Sequence, residues 1–283
     1  MNELFHSDVN RRQFLKTGAL AAVALGASSL TLPAADKPAD PYRGFKMGIQ
    51  SYTLREFTVQ EALKMSVELG LRHWETFPAH IAVGTLPKYI ADQKAMLDAA
   101  GVKLVAFGVV GFDANEAKAR EVFDFAKAIG IRSISADPTK DEATFKLLDK
   151  LVEEYGIAIA IHNHGPGHRY DKIDDVVNAV KDHHQKIGAC VDTGHYLRSK
   201  ESPVEAIERL KGRVYGVHLK DVKDATQFKI LGEGDLDVLG CLKALQKQKY
   251  DYCLALEYEE SAKNPMPDLQ ICMKNLKAAL EKL

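Results

Sequence analysis

Cysteine is scarce in this chain. There are four in 283 residues, Cys190, Cys241, Cys253 and Cys272, and no CxxC pair. That composition gives no disulfide framework. Cys190 and Cys253 fall inside apolar runs, where buried free thiols are common. Charge of one sign is missing as well. Lys and Arg total 38 against 39 Asp and Glu, a net charge of -1. No global basic field draws such a chain to nucleic acid. No glycine-rich nucleotide loop follows the first apolar run, which argues against a dinucleotide-binding open sheet. The hydrophobic fraction of 46% and charged fraction of 27% are ordinary for a globular protein. The length allows one large α/β domain.

The N-terminus is a separate object. Asn10-Arg11-Arg12 and Phe14-Leu15-Lys16 precede a weakly hydrophobic stretch rich in Ala and Gly, then Leu32-Pro33-Ala34-Ala35. A basic region, an apolar stretch without a polar face and small residues after it form a secretory signal. The Arg pair resembles the twin-arginine export type. Residues 1–35 are therefore expected to be a twin-arginine-type signal peptide and 36–44 a linker. The protein is then periplasmic or otherwise exported. The apolar stretch is short and poor in Leu and Ile, so no stable membrane span is expected after cleavage.

From residue 45 onward short apolar runs alternate with helical segments. Strands are expected at 45–51, 73–76, 102–109, 131–136, 157–162, 187–192, 214–218 and 252–257. Helices are expected at 58–69, 88–100, 115–129, 142–155, 171–182, 204–210, 235–248 and 268–283. Thr58 and Glu61 form a capping box at the first helix. Gly70, Gly101, Gly130 and Gly156 each follow a helix and precede an apolar run. Glycine there supplies the left-handed residue that stops a helix. Connections this short are those of packed βα units. Eight such units over 45–283 predict a closed (β/α)8 barrel.

Four apolar runs end in a metal-ligating residue type: His162, Asp192, His218 and Glu257, spaced by 30, 26 and 39 residues. Each gap is about one βα unit long. On neighbouring parallel strands, the two imidazoles and two carboxylates converge at the C-terminal mouth, where barrel catalysis occurs. Asp and Glu are poor strand formers. Their place directly after apolar runs is costly unless something there uses the charge. A mixed nitrogen and oxygen set predicts a divalent metal, Mn or Zn first, with Co, Ni or Fe as other fits. Other polar residues cluster at the same mouth. His164 and His195 are candidate proton-transfer groups beside Glu257 and His162. Asn163, Arg198, Lys220 and Glu75 are candidate substrate contacts. The segment Gly232-Glu233-Gly234-Asp235 reads as a turn with an N-cap.

At Asp192-Thr193-Gly194-His195, His218-Leu219-Lys220-Asp221, Gly232–Asp235 and Leu256-Glu257 the chain resembles the xylose isomerase-like barrel superfamily, in particular its sugar phosphate isomerase/epimerase group. The resemblance covers about residues 45–283. It implies a metal held by Glu, Asp, His and Glu. Asp192, His218 and Glu257 match the last three; His162 stands where the first Glu is expected. The two glutamates also form the acid–base pair of the epimerases, so this chain departs from the two-carboxylate scheme.

The expected function is a metal-dependent sugar isomerase or epimerase that removes a proton beside the carbonyl of a keto-sugar. The alternative is a keto-glycoside lyase or hydratase that expels a β-oxygen after the same first step. Readings of other classes are a non-catalytic sugar-binding barrel and an endonuclease IV-like phosphodiesterase, the latter opposed by the missing basic patch. The expected partner is a small carbohydrate. Barrels of this kind often form homodimers, which no residue pattern here shows.

Overall fold

The computed structural model describes residues 40–283; the expected signal peptide and residues 36–39 of the linker lie outside them. Eight parallel strands close into a barrel. They are β1 (Lys46–Gln50), β2 (His73–Thr76), β3 (Lys103–Phe112), β4 (Ser133–Pro138), β5 (Ala158–His162), β6 (Ile187–Asp192), β7 (Val214–Leu219) and β10 (Cys253–Leu256). The helices are α1 (Val59–Glu68), α2 (Pro87–Ala100), α3 (Glu116–Ile129), α4 (Glu142–Tyr155), α5 (Ile173–Val180), α6 (Thr193–Arg198), α7 (Pro203–Arg209), α8 (Val238–Lys247) and α9 (Met266–Leu280). The expected barrel is present.

Two elements depart from the sequence expectation. After β7 the chain makes an antiparallel hairpin, β8 (Asp221–Lys223) with β9 (Gln227–Lys229), before α8. The short helix α6 intervenes between β6 and α7. Both are too short to carry a periodic signal. The four helix-ending glycines adopt φ of 81, 65, 96 and 70°, the left-handed geometry expected of them.

The strands divide their residues by the period of two. One face packs large residues against the helices: Ile159, Ile161, Val191, Val217 and Leu254 join Trp74, Phe107 and Phe123 in the main core. The other face, toward the barrel axis, carries small ones: Ala158, Ala160 and Cys190 form one cluster and Ala106, Cys253 and Ala255 another. Space there is tight, since a Cβ on Gly188 would lie 2.0 Å from the Arg213 carbonyl oxygen. Following the axial face upward gives 158-160-162, 188-190-192, 216-218 and 253-255-257. Each inward row thus starts with residues small enough for the axis and ends in an ionisable one.

Candidate metal centre

β5, β6, β7 and β10 are consecutive neighbours, and register pairs His162 with Cys190, Asp192 with His218, and His218 with Ala255. Consequently His162, Asp192, His218 and Glu257 each present one ligand atom within 4.8 Å of the others, all buried. His162 Nε2 lies 3.1 Å from His218 Nδ1 and 3.4 Å from Asp192 Oδ2. His218 Nδ1 lies 3.1 Å from Glu257 Oε2. Ligands about 2.0–2.2 Å from one ion sit at such mutual distances. Asp192 Oδ2 and Glu257 Oε2 are buried and make no hydrogen bond of regular geometry, their nearest cation being the Lys220 ammonium at 2.9 and 3.0 Å. Two buried carboxylate oxygens and two imidazole nitrogens that share a single ammonium neighbour form a donor set that fits a divalent cation.

Local structure holds each ligand. Asp192 caps α6, accepting from the His195 amide at 2.7 Å with its other oxygen. This clears Oδ2 for the cluster. Asn163 donates to the Asp192 carbonyl oxygen at 3.0 Å and accepts from the Asp192 amide at 2.8 Å. It clips the end of β5 to that of β6. Glu75, fully buried on β2, faces the far side of His218, with Oε2 at 3.1 Å from Nε2. A carboxylate behind a ligand imidazole fixes its ring and tautomer. Both residues correct the sequence expectation of substrate contacts. Asn163 has its amide on the Asp192 backbone, Glu75 is fully buried, and neither lines the cavity.

Lys220 sits beside the cluster, its Nζ at 2.9 Å from Asp192 Oδ2, 3.0 Å from Glu257 Oε2 and 2.5 Å from Glu259 Oε1. Burial disfavours its cation, but Asp192, Glu257 and Glu259 outweigh that and raise its pKa. Burial likewise works against the Glu257 carboxylate, yet Lys220 and His218 pull it down to about 2. His195 is buried and pushed down to about 4, against the pull of Asp192. Arg198 donates toward His195 Nδ1 at 3.1 Å. A neutral imidazole has one acceptor nitrogen. The Lys220 ammonium, also a donor, lies 3.4 Å from Nε2, so donors face both ring nitrogens. Arg198 thus directs its guanidinium at His195 and does not line the cavity.

A cavity of about 360 Å³ opens over the cluster. Lys220, His162, His164, His195, Glu257 and Glu259 line its charged side. Sequence reasoning missed Glu259, and also Tyr52 and Phe77 on the opposite wall. Loop acids and strand-end aromatics carry no spacing signal.

The Gly-Glu-Gly-Asp segment is a knot around Asp221. That carboxylate accepts from the amides of Val222, Gly232, Gly234 and Leu236 at 2.8 to 3.0 Å. A Cβ on Gly234 would lie 2.2 Å from Asp221 Oδ1. The knot fixes the hairpin that carries Phe228, whose ring lies 5.5 Å from the Arg198 guanidinium carbon and 5.7 Å from Lys220 Nζ.

Among curated proteins the chain is similar to inosose dehydratases. One from Clostridium botulinum (strain Alaska E43 / Type E3) is 29% identical over 140 residues, 42% of this chain and 47% of that protein. One from Lacticaseibacillus casei is 24% identical over 226 residues, 70% of this chain and 74% of that protein. The chain spans about half the length of the first of these relatives. A crystal structure of the IolI protein with a bound zinc atom shares the fold, with a TM-score of 0.67 at 17% identity over 84% of this chain and 99% of that one. The xylose isomerase-like TIM barrel family matches residues 63–279, and the chain belongs to that family.

Proposed function

We propose that this protein is a metal-dependent lyase of the dehydratase type, acting on a cyclic keto-polyol or keto-sugar. The observation that carries the reading is the buried His162–Asp192–His218–Glu257 cluster at the floor of a cavity that also holds two neutral imidazoles and an ammonium. Held by those four residues, a divalent ion supplies Lewis-acid polarisation of a carbonyl oxygen.

The remaining groups divide the proton work. His164 lines the cavity, and its Nδ1 lacks a hydrogen-bond partner. Burial and then neighbouring His168 lower its pKa, keeping it neutral and able to accept a proton. It takes the proton from the carbon beside the carbonyl. The C–H electron pair becomes a C=C bond and the carbonyl oxygen takes the negative charge. Lys220 Nζ, on the cavity wall, donates a hydrogen bond to that oxygen. When the carbonyl re-forms, the bond to the oxygen on the next carbon breaks. His164 returns its proton to the departing oxygen, so water or an alcohol leaves and an enone remains.

Elimination is favoured over epimerisation, the first expectation from sequence, by His162. It occupies the position where the resemblance places a second glutamate, which leaves no carboxylate pair across the substrate. The inosose dehydratase relatives support the same choice. The twin-arginine-type N-terminus supports action on an exported or periplasmic substrate. The test is to incubate the metal-loaded protein in deuterated water with an inosose and with a free ketose. Appearance of an unsaturated ketone from the inosose supports the reading. Deuterium exchange or isomer formation without loss of water contradicts it.

A further inference from the structure

The wall of the cavity opposite the cluster has a different chemistry. Tyr52, Phe77 and Pro78 line it, from the segments that follow β1 and β2. Tyr52 is 39% exposed, a large aromatic left open beside a charged floor.

Its position is fixed from several sides. Arg55 donates to the Tyr52 carbonyl at 3.2 Å and to the Glu259 carbonyl at 2.8 Å, with its guanidinium carbon 4.7 Å from the Tyr52 ring centroid. The clamp ties the aromatic wall to the loop that carries Glu259. The Tyr52 and Phe77 rings meet edge to face at 5.5 Å. Phe77 then contacts His80 at 4.6 Å, and His80 stacks on buried Trp74 at 5.6 Å. Trp74 Nε1 donates to Ser66 Oγ at 2.9 Å, anchoring the series in the core. A ladder of rings held this way presents a preformed surface.

A polyol seated at the cluster has its hydroxyls met by Lys220, His195 and Glu259. The aromatic wall offers hydroxyls a single phenol, that of Tyr52, and offers much more to the face of a ring. We infer that the Tyr52–Phe77 wall is a second-ring subsite, and that the substrate is a keto-sugar whose leaving oxygen carries a ring. This rests on the elimination reading above and names its substrate class. With a ketone on ring carbon 3, the proton leaves carbon 2. The β-oxygen is then the glycosidic one on carbon 1, and the second ring departs as an alcohol.

Two sets of probes test it on the metal-loaded full chain. Phenyl and methyl β-D-glucopyranoside and cellobiose, which have no ketone, report binding by calorimetry. The 3-keto forms of the same three compounds report kcat/KM. Stacking on the wall predicts about a tenfold preference for the ring-bearing probes over methyl in both measurements. Tyr52→Ala collapses that ratio toward one, and Tyr52→Phe retains it. Preference for cellobiose identifies the second ring as a sugar, and preference for phenyl alone as an aryl group; either supports the subsite. A wild-type ratio near one, or equal loss for all probes in Tyr52→Ala, overturns it. Ring-selective, Tyr52-dependent binding without turnover of any keto form leaves the subsite standing and removes the elimination reading.

Discussion

The two halves of the barrel mouth are built by opposite means. β5, β6, β7 and β10 end in His162, Asp192, His218 and Glu257, and their loops are fixed by carboxylates gripping backbone amides at Asp192 and Asp221. The segments after β1 and β2 end in Tyr52 and Phe77, fixed by ring contacts that run into the core. One half handles charge and the other handles shape. Glu75 reaches from β2 to the back of His218, under the first half. The same scaffold thus separates ionisable from aromatic side chains by strand.

Three perturbations sharpen this contrast. The largest is expected at the Asp221 knot. Asp221→Ala strips the acceptor from four backbone amides, each costing about 1–3 kcal/mol when left unsatisfied and buried. Water entering the loop offsets part of that, so a loss of about 3 kcal/mol or more is expected in denaturant unfolding. A loss below about 1 kcal/mol would mean that the hairpin holds itself. Glu75→Gln comes next. Its effect is expected on metal affinity, about 10–100-fold weaker, as for other carboxylates behind a ligand imidazole. Equal affinities in a competition titration against a chelator would detach the β2 side from the centre.

The smallest effect is a pH dependence from the shape half. His73 and His80 are half-buried, and burial lowers both below the ordinary 6.5. The unfolded chain then binds more protons, so stability is full above pH 6.5 and falls as pH drops below it toward the lowered folded values. Tm is expected to decline between pH 7 and 5, and a His73→Gln, His80→Gln variant to decline less. An unchanged slope in that variant would place the acid sensitivity elsewhere.

How legible each half was in the sequence follows from the same contrast. An ionisable residue closing an apolar run is expensive, so His162, Asp192, His218 and Glu257 stood out, and the helix-ending glycines set the unit count that brought them together. Aromatics at strand ends read as core, so Tyr52 and Phe77 carried no distinguishing signal. Asn163 and Glu75 were noticed for their chemistry but misplaced in role. One sits a single residue past His162 and turns its amide to the Asp192 backbone; the other follows the inward parity of β2 below the cavity. The short α6 and the β8–β9 hairpin depend on Asp192 and Asp221 as acceptors, a tertiary cause that no local period reports.

The central claim is that four side chains from four adjacent strands hold one divalent ion. Its most direct measurement is the metal content of purified protein beside Asp192→Ala, after equal exposure to Zn or Mn. Close to one ion per chain is expected in the wild type, little in the variant, and turnover lower by on the order of a thousandfold in the variant. Equal metal content in both proteins, or full turnover by a chelator-treated wild type, would contradict it.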